Sequence, residues 1–144
     1  MPGPGAGDQG PGLRVPKFIY EEILAHCQRE YPKEACGILA GRGQNVAKAF
    51  TMTNVDRSAI SYQMDPKEQL RVMKQMRQDG QEMLAIYHSH TATAASPSPV
   101  DVKLAVYPDV SYVLVSLADR QRPQMRSFRI AEGAITPEEL QREP

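Results

Sequence analysis

Three things are scarce in this chain: net charge, cysteine and long apolar runs. Lysine and arginine together number 17, as do aspartate and glutamate, so the formal net charge is zero. A neutral chain gains no electrostatic pull toward phosphates or anionic lipid, and no basic stripe recurs along any predicted helix. Neither a nucleic-acid partner nor a membrane is expected. No apolar run approaches the ~20 residues that a membrane helix needs. The opening residues, MPGPGAGDQGPG, lack the basic and apolar regions of a secretory signal, so a cytoplasmic location is expected. Two cysteines, Cys27 and Cys36, are too few for a disulfide framework, and a cytosolic chain keeps them reduced. Histidine is nearly as scarce. There are three, and two stand together in IYHSHTATAASPSPVD, residues 86–101.

What is present fits one domain. A chain of 144 residues supports a single hydrophobic core. Residues 1–14 are rich in Gly and Pro and read as a disordered tail, because they cannot bury enough apolar surface to offset their ordering entropy. Residues 15–144 read as the folded domain. In KFIYEEILAHCQREY, Ile19, Ile23, Cys27 and Tyr31 mark one face of a helix over 17–31, which Pro32 stops. CGILAG (36–41) and VAKAFTMT (46–53) read as paired strands joined by GRGQ. Asp65-Pro66 opens a second helix, with Leu70, Met73, Met76 and Arg77 along its inner side. MLAIYH (83–88) is a buried strand, and PVDVKLAVY (99–107) a short helix. SYVLVSL (111–117) and QMRSFRI (124–130) are two more strands, followed by a last short one. TPEELQRE reads as a helical tail, with Thr136 and Glu139 forming a capping box around Pro137. The order predicts an α/β fold, a single-domain mixed β-sheet flanked by helices.

His88 and His90 end a predicted strand, where side chains two apart share a face and sit roughly 6–7 Å apart at the backbone. Imidazoles can converge on one ion from there. Zinc prefers four tetrahedral ligands, with nitrogen at about 2.0–2.1 Å. Two histidines plus Asp101 would leave a fourth position for water, the pattern of a catalytic site. Alone, a His-x-His pair is more often two polar residues at a strand end. Alone, Ser98 to Asp101 reads as a helix start, with Ser98 as N-cap, Pro99 at N1 and Asp101 at N3. Together they fix a spacing: His-x-His, seven residues, Ser, two residues, Asp. That joint pattern is far rarer by chance, and a helix start would hold Asp101 rigidly. Hydrolysis also wants a proton shuttle that does not bind the metal. No HExxH motif supplies one. Glu34, in YPKEACGILAG, is the best candidate, against the ordinary reading of a solvated surface charge. A zinc deaminase is excluded, since it needs H-x-E and C-x-x-C.

Glu34, His88-Ser89-His90, Ser98 and Asp101 together resemble the motif of the JAMM metalloproteases, the MPN-plus domain. The resemblance covers about residues 16–136. KEACGILAG, IYHSHTAT, DVKLA, SYVLVS and RSFRI look most like the small bacterial Mec type. Many family members carry proline where this chain has Thr91; the Mec type is similar to this chain there. The resemblance implies a cytidine-deaminase-like sandwich (the MPN/JAB fold). It also implies one zinc ion held by His88, His90 and Asp101, with Glu34 as proton shuttle and Ser98 as hydrogen-bond donor to the oxyanion. If Ser98 is also the N-cap, its hydroxyl is expected to serve one partner at a time.

The implied reaction is hydrolysis of the amide bond after the C-terminal Gly-Gly of a ubiquitin-like sulfur-carrier protein, releasing cysteine or other residues. Only nine residues separate Asp101 from Ser111, which leaves little room for the second segment that ubiquitin-chain-cleaving relatives insert. A flexible Gly-Gly tail would bind extended beside a sheet edge, and residues 54–64 are expected to line its groove. The alternatives are an isopeptidase for other ubiquitin-like conjugates and a silent scaffold of the same fold. The scaffold usually loses metal ligands, and none is lost here. His26 is expected to be a partly buried helix residue and Cys36 a small apolar core residue. A homodimer is left open.

Overall fold

The computed structural model describes residues 12–144. The tail expected over 1–14 therefore lies mostly outside the described residues. Its last two positions do not belong to a tail. Leu13 and Arg14 open strand β1 (Leu13–Pro16), with Leu13 and Val15 buried in the core.

The remaining elements follow in chain order: α1 (Lys17–Glu30), β2 (Cys36–Arg42), β3 (Asn45–Met52), α2 (Pro66–Gln78), β4 (Glu82–His90), α3 (Pro99–Leu104), β5 (Ser111–Ser116), β6 (Gln124–Ala131), β7 (Ala134–Glu138) and β8 (Leu140–Glu143). All eight strands form one mixed sheet in the order β7-β6-β5-β4-β2-β3-β1-β8. β4 pairs parallel with β5 and antiparallel with β2. The expected mixed sheet flanked by helices is what the chain forms.

Each face of the sheet has its own apolar cluster. On one face Val15, Leu39, Tyr87, Val113 and Val115 pack against Ile19, Ile23 and Cys27 of α1. On the other, Ile38, Ile86, Leu114 and Phe128 pack with Met76 of α2 and, at its margin, Val102 of α3. Central strands covered on both faces read as continuous apolar runs, and every residue of β2 except Arg42 is buried. Successive β4 side chains alternate between the clusters. Ala85 and Tyr87 face α1; Ile86, His88 and His90 face the α2 and α3 side. Tyr87 lies across Gly37, where an added Cβ would stand 2.1 Å from its ring. That close approach lets the Tyr87 hydroxyl reach His26 Nδ1 at 2.6 Å. His26 is fully buried rather than partly so.

Three expectations need correction. TPEELQRE is not helical: it forms the end of β7 and all of β8. A helix there would have had Leu140 as its only large apolar side chain, whereas extended chain pairs with β6 on one side and β1 on the other. β7 and β8 are the two ends of the sheet and only Glu139 separates them, so the sheet curls until its ends meet around α1. Glu138 ties β7 to β5 and β6. Its buried carboxylate accepts hydrogen bonds from Ser111 Oγ, Ser127 Oγ and Arg129 Nε. Second, α2 turns Val72, Met73 and Met76 inward and leaves Leu70 61% exposed and Arg77 at the surface. Third, α3 stops at Leu104 rather than 107. Pro108 disfavours helical geometry in the residue before it, and the Tyr107 N–H is taken by the Tyr112 hydroxyl.

A candidate metal centre at the end of the fourth strand

β4 carries His88 and His90 on one face, and the loop 91–98 returns the chain so that α3 starts beside them. Ser98 caps that helix. Its hydroxyl oxygen accepts from Asp101 N–H at 3.1 Å, and Asp101 Oδ2 accepts from Ser98 N–H at 2.9 Å. This capping box aims the Asp101 carboxylate between the two imidazoles. Asp101 Oδ1 lies 3.2 Å from His88 Nε2, and Oδ2 lies 2.9 Å from His90 Nε2. One donor atom from each of the three residues falls within 4.8 Å of the other two.

Such a cluster suits a cation on two grounds. Both ring nitrogens of His88 are buried without a hydrogen bond among the described residues, although buried polar groups normally find partners. His90 Nδ1 lies 2.9 Å from the Ala94 carbonyl oxygen, which can only accept, so Nδ1 carries the proton. The neutral ring then presents the bare lone pair of Nε2 to a carboxylate oxygen at 2.9 Å. Either a proton or a metal ion between them relieves that repulsion. A second partner fixing the far nitrogen is usual for a metal-binding histidine. Two imidazoles and one carboxylate are a zinc-type donor set that leaves a coordination position open. The group could hold a metal.

The electrostatics agree. Burial alone raises the Asp101 carboxyl, but the two imidazoles against its oxygens outweigh this and hold it well below the usual carboxylate range. Burial lowers His88. For His90 burial acts downward too, yet Asp101 and the Ala94 carbonyl leave it raised. Burial pushes both Cys27 and Cys36 up to about 12, so neither offers a thiolate.

Glu34 lines the same recess as His90, Ser98 and Asp101. It is buried, not a solvated surface charge, and burial raises it to about 7, with His90 opposing and Asp101 adding to the shift. Its backbone is held firmly: its N–H donates to the Ser58 carbonyl at 2.7 Å, and Asn54 Nδ2 donates to its carbonyl at 3.0 Å. Next to it, Ala35 N–H donates to Ser89 Oγ at 2.8 Å, and Ser89 N–H to the Ala35 carbonyl at 3.0 Å. The middle residue of His-x-His thus locks Glu34's strand end to β4. As for Ser98, the cap uses its oxygen as acceptor only and leaves the hydroxyl proton free to donate. One hydroxyl can serve both partners, contrary to expectation.

Sequence reasoning missed several supporting residues. Asn54 is buried and fully engaged: Nδ2 donates to the carbonyls of Glu34 and Ser61, and Oδ1 accepts from the N–H groups of Asp56 and Gln63. The loop 55–63 is wrapped around this one side chain. The Tyr62 ring in that loop stacks on His88 at 4.4 Å between centroids. The only sequence signal was an Asn standing where a strand ends, which is common in any loop.

Residues 16–131 match the family model described as prokaryotic homologs of the JAB domain. The chain belongs to the JAB family. Among its JAB relatives is the CysO-cysteine peptidase of Mycobacterium tuberculosis, 48% identical over 122 residues, 83% of this chain and 84% of that one. Another is the probable TtuB-protein conjugate cleaving protease of Thermus thermophilus, 39% identical, covering 88% of this chain and 82% of that one. A Desulfitobacterium hafniense protein of known solution structure has the same fold, with a TM-score of 0.82 and 42% identity over 91% of this chain and 94% of that one.

Proposed function

We propose that this JAB protein is a zinc-dependent hydrolase that cleaves the amide bond after the C-terminal Gly-Gly of a ubiquitin-like sulfur carrier, releasing cysteine or another terminal residue. The observation that carries the reading is the convergence of His88, His90 and Asp101 beside a buried Glu34. The substrate class rests on the 48% identity to a CysO-cysteine peptidase.

His88, His90 and Asp101 would hold one zinc ion. Zinc held there supplies Lewis-acid polarisation of the scissile carbonyl and lowers the pKa of the attacking water from ~15.7 toward ~7. Glu34 takes the proton from the water and later gives it to the departing amine. Burial raises this carboxyl to about 7 in the metal-free site, and a dication beside it would bring it down toward the carboxylate that accepts a proton. The free Ser98 proton donates to the developing oxyanion, a contribution of roughly 3–4 kcal/mol in other hydrolases. Tyr62 and the Ala94 carbonyl keep the two rings in place. Both cysteines are free and buried, which suits a reducing compartment such as the cytoplasm.

The test is mass spectrometry of zinc-loaded protein mixed with a carrier extended by cysteine after Gly-Gly. Loss of one terminal cysteine is expected. An intact adduct, or purified protein that binds no zinc, overturns the proposal. The 39% identity to a protein named as cleaving TtuB conjugates favours a second reading, hydrolysis of carrier–protein conjugates. A lysine-linked conjugate in the same experiment separates the two.

A further inference from the structure

Two recesses lie beside the metal cluster, both bordered by β4, the loop 55–64 and the segment from Ser98 to Val106. Ile86 of β4 lines the first recess, while His90 at the end of β4 and Thr91 just past it line the second. In the opposing loop Asp56, Tyr62 and Met64 line the first, Ala59 and Ile60 the second. Leu104 at the end of α3 and Val106 beyond it border the first, while Ser98 and Asp101 at its start border the second. His90 and Asp101 of the cluster line the second recess. The first recess is about 490 Å³ and the second about 310 Å³.

Chemistry decides which part of a substrate the second recess takes. Hydrolysis breaks the C–N bond, places the water's hydroxyl on the carbonyl carbon and delivers a proton to the departing nitrogen. Glu34 delivers that proton and stands in the second recess. The departing nitrogen therefore has to come within reach of this recess, which Ser98, the donor to the carbonyl oxygen, also lines.

The second recess is bounded by mostly small side chains. Its walls are Ala59 and Ile60 on one side and Thr91, Ala92 and Thr93 on the other. No lysine or arginine lines it among the described residues, and its only charged carboxylates are Glu34 and Asp101. The two walls are tied together: Thr91 Oγ1 donates to the Ala59 carbonyl at 3.0 Å. The Ala59 wall cannot swing away at its root, because Asn54 holds the loop on both sides of it.

We propose that this recess is the leaving-residue pocket, that it selects a small uncharged residue after the scissile bond, and that the Thr91–Ala59 latch sets its width. The proposal rests on the hydrolase reading above. Its probes are carriers extended after Gly-Gly by alanine, cysteine, phenylalanine or aspartate. The unaltered protein favours alanine and cysteine over phenylalanine and aspartate by at least about tenfold in kcat/KM, the usual scale for size discrimination in a pocket. Thr91→Val keeps the shape and removes the donor. It lowers the alanine-to-phenylalanine ratio by about fivefold, the worth of one hydrogen bond, mainly through a lower KM for the phenylalanine adduct. Thr91→Ser, which keeps the hydroxyl, restores the ratio. A merely structural role for Thr91 would slow all four adducts alike. The proposal is overturned by equal cleavage of alanine and phenylalanine adducts, or by a ratio that Thr91→Val leaves unchanged. Failure to cleave any of the four overturns the hydrolase reading along with it.

Discussion

Glu34 shows how much a single side chain's position changes its chemistry. In sequence it is one of 17 acidic residues. In the fold it is buried beside His90 and Asp101, and burial raises its carboxyl to about 7. A carboxyl raised in the folded state binds its proton more tightly folded than unfolded. Its neutral form is accommodated below the unfolded value near 4.5, and stability is lost as pH rises toward 7. In metal-free protein, Glu34→Gln removes that loss. Its melting temperature is therefore expected to exceed that of the unaltered protein by several degrees at pH 8 and to match it near pH 4.5. With zinc supplied, the same variant should keep the metal and lose turnover. Thermal melts at the two pH values, metal analysis and an activity assay check all three. Four candidate site residues were legible because their spacing is local: His88, His90, Ser98 and Asp101 fall within fourteen positions. Glu34 was legible as a candidate from its place before an apolar strand, and the family resemblance gave it a role. Asn54 and Tyr62 were not, since their roles depend on partners elsewhere in the fold.

At the scale of elements, periodicity identified helix α1 and strands β2 to β6 and failed at the C-terminus. The capping pattern of Thr136 and Glu139 is a local signal worth about 1 kcal/mol. It was outweighed by two open sheet edges and by the polar niche that takes Glu138. Removing that carboxylate leaves Arg129 and two serine hydroxyls without their shared acceptor. Breaking a buried pair is costly, though Arg129 is 39% exposed and recovers part of the loss in water. Glu138→Ala is expected to destabilise by about 2–3 kcal/mol, read as a lower urea midpoint. A midpoint unchanged from the parent would mean that strand pairing alone holds β7.

For the whole molecule, the candidate metal centre joins the end of β4 to the start of α3, across a cleft walled by the loop 55–63. A ligand that binds only the folded state stabilises it by mass action, by about 4 kcal/mol when its free concentration is ~1,000 times Kd. Chelation should therefore lower the melting temperature, zinc should restore it, and Asp101→Asn should abolish the difference between the two. Calorimetry with and without chelator measures this. The sequence by itself determined the α/β class, the helical and strand periods, the spacing of the histidines to Ser98 and Asp101, and the family. These are local regularities, or patterns that one stretch of chain carries whole. Only the tertiary structure decided that Glu34 is buried, that Asn54 hangs the cleft wall, that Thr91 latches it, and that the last residues close the sheet. Each of those depends on which distant group satisfies a hydrogen bond or fills a surface, and that is settled only when the chain packs.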